Sequence, residues 1–190
     1  MTKIINFLAG PGAGKSTVSA GLFYKLKLAN YNVEYVQEFA KDLTWEDRQN
    51  TLGCQPYVFG KQLWRIERLI GKVDIIVTDS PLILSAVYDK VFKDGHSQGF
   101  CQSVIENFNR FNNINYLLRR TKAYNKVGRN QTEEESVNID TAIESFLNKH
   151  NIPFKETIGL EETVDLCFRE STQVDPAVEF LLNLFSFTGE

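Results

Sequence analysis

Ala9-Gly10-Pro11-Gly12-Ala13-Gly14-Lys15-Ser16-Thr17 stands directly behind the apolar run Ile4-Ile5-Asn6-Phe7-Leu8. A buried strand, a glycine-rich turn, then Lys-Ser-Thr opening a helix is the pattern of a phosphate-binding loop, or P-loop. The backbone N–H groups along Gly10, Gly12, Ala13, Gly14, Lys15, Ser16 and Thr17 and the positive helix end face one point. A polyphosphate such as that of ATP can replace water there. Lys15 is expected to reach the β- and γ-phosphates, and the Ser16 hydroxyl to complete the coordination of Mg2+. The strict pattern has glycine where Ala9 stands; alanine fits if its φ stays negative. Pro11 has no N–H, but it precedes the donors that do the cradling.

Two carboxylates close buried strands near this loop. Asp79 ends Ile75-Ile76-Val77-Thr78-Asp79-Ser80-Pro81, which places it to hold magnesium and to face the substrate. Its other reading is a helix cap, since proline suits a first helical turn. Glu38 ends Val33-Glu34-Tyr35-Val36-Gln37-Glu38, across the cleft from Lys15. A carboxylate there can take the proton of an attacking hydroxyl. It reads equally well as an exposed acid beside Lys41, and Asp42 is a second candidate.

Arg119-Arg120-Thr121-Lys122-Ala123-Tyr124-Asn125-Lys126-Val127-Gly128-Arg129 concentrates cations in a net-acidic chain. Phosphoryl transfer spreads negative charge over the equatorial oxygens, and Arg or Lys in a water-free site stabilises it. A lid over about 119–133, with Arg119, Arg120 and Arg129 as its working cations, is the expectation; plain solvated charge is the alternative. Gln62, beside Phe59 and Ile66, can read a base edge through its paired donor and acceptor, or meet backbone instead. Trp45, Tyr57 and Trp64 are expected to pack in the core rather than stack on a base. His96 and His150 are assigned no chemistry.

These residues need elements to hold them. The patterning predicts strands at Lys3–Leu8, Val33–Gln37, Asp74–Asp79, Ile114–Leu118 and Phe154–Ile158. Helices are predicted from Lys15 to near Ala29, with Val18, Leu22, Leu26 and Ala29 inward, and from Pro56 to Ile70, with Phe59, Leu63, Ile66 and Ile70 inward. Further helices are expected over Pro81–Phe92, Gln98–Phe111, up to Lys149 from the capping box Thr132-x-x-Glu135, and over Pro176–Phe185. Strands alternating with helices imply an α/β fold with a parallel sheet covered on both faces. Ligands of such sheets lie beyond the carboxyl ends of the strands. The loops after Leu8, Gln37, Thr78, Leu118 and Ile158 then surround one site.

With 190 residues, 43% hydrophobic and 24% charged, the chain reads as one globular domain over 1–190. A net charge of −3 makes long nucleic acid a less favoured partner than a small nucleoside or nucleotide. No stretch reaches membrane-spanning length. Cys54, Cys101 and Cys167 fit neither a zinc site nor a disulfide framework, and together with the missing signal peptide they lead us to expect a reducing, cytoplasmic setting. A homodimer is left open.

With these pieces placed, the chain resembles the P-loop kinases that phosphorylate nucleosides and nucleotides. Gly10-Pro11-Gly12-Ala13-Gly14-Lys15-Ser16-Thr17 is similar to the phosphate loop of adenylate-type kinases. Val36-Gln37-Glu38-Phe39-Ala40-Lys41, Gln62 with Glu67, and Asp79-Ser80-Pro81 resemble the ribosylnicotinamide-kinase-like AAA-type ATP-binding family. Tyr124-x-x-x-Gly128-Arg129-x-Gln131 occupies the place of that family's lid. The chain also looks like the small ATP-binding proteins of large bacteriophages. The resemblance implies a three-layer P-loop NTPase fold with a five-stranded sheet of order 2-3-1-4-5. It further implies magnesium, ATP as donor, and Glu38 as general base. Two departures stand out: Ser80 follows the third-strand acid where deoxynucleoside and thymidylate kinases carry arginine, and only Arg48, Arg65 and Arg68 lie near the acceptor side. The expected activity is transfer of the γ-phosphoryl of ATP to a nucleoside or nucleotide. The alternatives are a kinase of a DNA hydroxyl (a 5′ end or a hydroxymethylated pyrimidine) and an ATPase switch without an acceptor.

Overall fold

The computed structural model describes residues 1–91, 98–121, 123–125, 127 and 130–172. Its strands are β1 (Lys3–Leu8), β2 (Val33–Val36), β3 (Ile75–Thr78), β4 (Asn112–Leu118) and β5 (Lys155–Thr157). Around them lie α1 (Lys15–Leu28), α2 (Phe39–Trp45), α3 (Gln49–Leu52), α4 (Gln55–Glu67), α5 (Leu84–Val91), α6 (Gln98–Asn109), α7 (Glu133–Lys149) and α8 (Leu160–Thr172). The strands form one sheet in the order β2-β3-β1-β4-β5, and every neighbouring pair is parallel. This is the P-loop NTPase kinase fold. Five parallel strands leave their carboxyl ends along one edge, so the loops after β1, β2 and β3 meet there.

The period-two alternation of a strand sends neighbouring side chains to opposite faces. In β1, Ile4 and Leu8 join Ile76 and Leu117 on the face covered by α4, α5, α6 and α7. Ile5 and Phe7 join Val77 and Tyr116 on the face covered by α1 and α8. β1 is thus buried on both sides, which is why it reads as a nearly continuous apolar run. Its one buried polar member, Asn6, donates to the side-chain oxygens of Asn113 at 2.9 Å and Asn115 at 3.0 Å on β4. A buried amide is tolerated there because it is bonded. A third, small core joins Leu43, Leu52 and Val58 with Phe39 and Ala40, binding α2, α3 and α4 into a wall beyond β2.

Several boundaries differ from the sequence expectation. The inward stripe of α4 stops at Ile66; Ile70 lies past the helix end and is 37% exposed. The segment Phe39–Leu52, without predicted structure, forms two short helices, and α8 follows β5 without having been expected. The predicted helix Pro176–Phe185 lies outside the described residues. No helix among the described residues is long and apolar enough to cross a membrane.

α7 begins as the sequence indicates. Thr132 Oγ1 accepts from Glu135 N–H at 3.2 Å, and Glu135 Oε2 accepts from Thr132 N–H at 2.7 Å. Both bonds satisfy donors that the first helical turn leaves free. Thr132→Ala is expected to lower the unfolding free energy by about 1 kcal/mol, read as a lower urea midpoint with an unchanged slope.

Candidate active site

The loop between β1 and α1 has the shape that cradles an anion. Gly12 and Gly14 sit at φ of 80° and 105°, the left-handed region open to glycine at no steric cost. Ala9 is not among the residues with positive φ, so alanine is accommodated at the strand end. Lys15 Nζ donates to the carbonyls of Ala9 at 2.8 Å and Gly10 at 3.1 Å, which arches it over the loop. Ser16 and Thr17 are exposed on the first turn of α1, where backbone N–H groups have no intrahelical partner.

α7 fixes this loop from one side. Asp140 Oδ1 accepts from Gly10 N–H at 2.5 Å, so this donor, expected to cradle a phosphate, is taken by α7 and the cradle begins at Gly12. Its Oδ2 accepts from Arg120 Nε and Nη2 at 3.1 and 2.9 Å. Arg120 Nη1 also donates to the Pro11 carbonyl at 2.9 Å. Tyr124 lies so close to Gly12 that a Cβ on the glycine would come within 2.8 Å of its ring. The Tyr124 hydroxyl donates to the Gln131 carbonyl at 2.5 Å. Thus Arg120 and Tyr124, both from the basic segment, lie against the loop.

Arg119 does not. Its guanidinium bonds Glu144 at 2.7 and 2.9 Å and Glu156 at 2.6 and 2.9 Å, joining α7 to β5. These contacts hold its charge and geometry away from the cleft, so the structure assigns it a clamp where the sequence suggested a lid cation. Arg129 lies outside the described residues.

Beyond the loop opens a cleft of about 220 Å3 whose lining includes Lys15, Ser16, Glu38, Trp45, Gln55 and Tyr88. Glu38 is the N-cap residue of α2, but its side chain makes no cap bond. Burial pushes its carboxyl above the usual range; Lys15 opposes that, while Asp79 adds to it. Burial likewise pulls the Lys15 ammonium down, against the attraction of Glu38, Asp79 and Asp140. Mutual influence of this kind places one lysine among three carboxylates.

Asp79 is 4% exposed. Its Oδ2 accepts from the Tyr35 hydroxyl at 2.8 Å, and its Oδ1 is buried without a hydrogen-bond partner. An orphaned carboxylate oxygen beside a phosphate loop suits a metal-bound water. No group of three metal-ligating side chains occurs among the described residues. Magnesium takes one or two protein oxygens and completes its shell with phosphate and water.

Other expectations change place. Gln62 is 2% exposed and both ends of its amide meet backbone. Oε1 accepts from Phe39 N–H at 3.1 Å, and Nε2 donates to the Gln37 carbonyl at 3.3 Å. It does not line the cleft, so it has no free edge with which to read a base. Trp45 and Trp64 are 63% and 60% exposed, not core, and Tyr57 is also exposed. Trp45 lines the cleft with Gln55, whose Nε2 donates to the Leu52 carbonyl at 3.0 Å. The arginines near the acceptor side are engaged elsewhere. Arg65 bonds Asp42 at 2.7 Å, Arg48 pairs with Glu46 at 3.1 Å, and Arg68 lies over Trp64.

Residues 4–162 match the AAA domain family. The chain belongs to that AAA-domain family. No functionally curated protein resembles it in sequence. Among solved structures it is similar to deoxyadenosine kinase from M. mycoides. With the products dCMP and a flexible dCDP bound, that enzyme aligns at a TM-score of 0.58 and 17% identity, over 90% of this chain and 100% of that one. Its dATP complex aligns at 0.56 and 17%, with the same coverage. Its dCTP complex aligns at 0.54 and 20%, over 92% and 100%. At these identities the likeness is one of fold.

Two arginines adjacent in sequence should therefore behave differently. Arg119→Ala is expected to lower stability by about 1 kcal/mol, the scale of a partly exposed ion-pair network, and to leave ATP affinity within about twofold. Arg120→Ala frees the Pro11 carbonyl and half of the Asp140 carboxylate, and is expected to weaken ATP about tenfold, near 1.4 kcal/mol. Urea melts and calorimetry on both variants check the contrast.

Proposed function

We propose that the protein is a magnesium-dependent kinase that transfers the γ-phosphoryl group of ATP to a hydroxyl of a nucleoside. The observation that carries this reading is Glu38, a carboxylate without a capping bond, lining the same cleft as Lys15 and Ser16. The loop amides and Lys15 bind and orient the triphosphate. Arg120 and Tyr124 lie against the loop and hold its shape. Ser16 and Asp79 would hold the magnesium ion, which would offset negative charge on the phosphate oxygens. Glu38 accepts the proton of the acceptor hydroxyl as its oxygen bonds to the γ-phosphorus and the bond to the bridging oxygen of ADP breaks. Trp45, 63% exposed, lines the cleft together with Gln55 and Tyr88 and would be available to stack on a base.

An acceptor without its own phosphate is favoured. A monophosphate next to Glu38 and Asp79 would need cations to offset repulsion. Arg48, Arg65 and Arg68 are engaged elsewhere, and Lys41 is the one described cation besides Lys15 that lines the cleft. The similar fold of the M. mycoides deoxyadenosine kinase, which binds the products dCMP and dCDP, supports the nucleoside and nucleotide class.

Incubating the protein with γ-labelled ATP and a panel of ribo- and deoxyribonucleosides and their monophosphates tests this directly. Label is expected in a nucleoside monophosphate. Label in free phosphate only would mark an ATPase, and label in a diphosphate would mark a nucleotide kinase. Glu38→Gln is expected to lower turnover about a hundredfold or more.

The pH profile supplies a second check. Glu38 acts as a base only when ionised, and its folded pKa is raised from 4.5. Turnover should therefore fall as pH drops through that raised value, higher than an ordinary glutamate would give, and level off above it. Glu38→Gln should remove this acid limb; a limb unchanged in the variant would assign it to another group.

A further inference from the structure

Gln62 holds the backbone on both sides of Glu38, and we infer that it is the positioning residue for the carboxylate base. The inference rests on the kinase reading above. Glu38 sits at the joint between β2 and α2 with extended φ and ψ of −63° and 118°. At such a joint the chain has left the sheet and the helix ladder has not begun. Neither ladder therefore fixes the direction of the side chain. The Phe39 N–H is one of the donors a helix start leaves free, and Gln62 Oε1 accepts it at 3.1 Å. The Gln37 carbonyl is the corresponding acceptor at the strand end, and Gln62 Nε2 donates to it at 3.3 Å. One amide thus spans the peptide groups before and after Glu38, which pins the Cα from which the carboxylate projects.

The clamp is stiff because α4 supplies more than one point of attachment. Gln62 is 2% exposed, between Phe59 and Ile66 of the main core. Three residues on, Arg65 donates to the same Gln37 carbonyl at 3.1 Å and to Asp42 of α2 at 2.7 Å. Its guanidinium also lies over the Phe39 ring at 5.1 Å. Positions i and i+3 share a helix face, so one surface of α4 grips the joint. General-base catalysis needs the carboxylate within hydrogen-bond reach of the hydroxyl, and a small displacement is enough to weaken it strongly.

Steady-state kinetics of Gln62→Leu, Glu38→Gln and the double variant test the role, with γ-labelled ATP and the panel nucleoside that takes most label. Gln62→Leu is expected to lower kcat by about tenfold or more, with KM for the nucleoside and the order of nucleoside preference unchanged. In the Glu38→Gln background the same substitution should cost nothing further, since there is no base left to aim. If Gln62→Leu does not fold, Gln62→Met carries the same test, because it matches Gln62 in length and volume and makes neither backbone bond. An unchanged kcat with a raised KM or an altered nucleoside preference would overturn the inference in favour of base reading. An equal loss in the Glu38→Gln background would overturn it in favour of a general structural role. Full activity of Glu38→Gln alone would instead refute the kinase mechanism and remove the group that Gln62 positions.

Discussion

Asp140 is the point on which the donor half of the cleft turns. One of its oxygens takes the Gly10 N–H and the other takes Arg120. Both are charge-assisted bonds, shorter and stronger than those between neutral groups. The carboxylate therefore sets the entry angle of the phosphate loop and the position of the covering guanidinium together. It can do so because α7 is long, capped, and packed through Ile139, Ile143 and Leu147 onto the sheet face that also buries Leu8. The loop is held from a helix distant in sequence, and this long-range tie supplements the rigidity of β1.

The acceptor half is built differently. Its wall is the small core of Leu43, Leu52 and Val58 with Phe39 and Ala40, a set too small to stand alone. Tethers compensate: Gln62 and Arg65 from α4, and Asn130, which donates to Thr44 at 3.1 Å and accepts from Gln49 at 3.0 Å. The donor side is thus held through α7 and the main sheet, and the acceptor side through side-chain tethers that fix the joint at Glu38.

The donor loop and the sheet are legible in the sequence because their signals are local. Glycines at Gly12 and Gly14 stand where positive φ is needed, strands such as Ile4–Leu8 are apolar throughout, and Thr132 with Glu135 carries its own cap. The strand order is not local and comes from the family resemblance. α2 and α3 escape notice because 7 and 4 residues are too few to establish a period. α8 does carry a stripe, Leu160, Val164, Cys167 and Phe168, at the spacing of a helix face, so its omission is a misreading rather than a missing signal. Arg119 and Arg120 are chemically identical neighbours; only their opposite directions at the end of β4 separate a clamp from a phosphate-side contact. Gln62 and Trp45 fail for a related reason. Spacing tells which face a residue occupies, not whether backbone, core or cleft meets it there.

Gly14, the left-handed residue that starts α1, has α8 directly behind it: a Cβ there would come within 2.5 Å of a Leu160 methyl. The loop is thus backed by a side chain nearly 150 positions later. β1 likewise finds its two neighbours only when β3 and β4 have been made. The conformation of the P-loop is therefore underwritten by β3, β4 and α8, and a fragment ending before them would lack both sheet neighbours of β1 and the backing of Gly14.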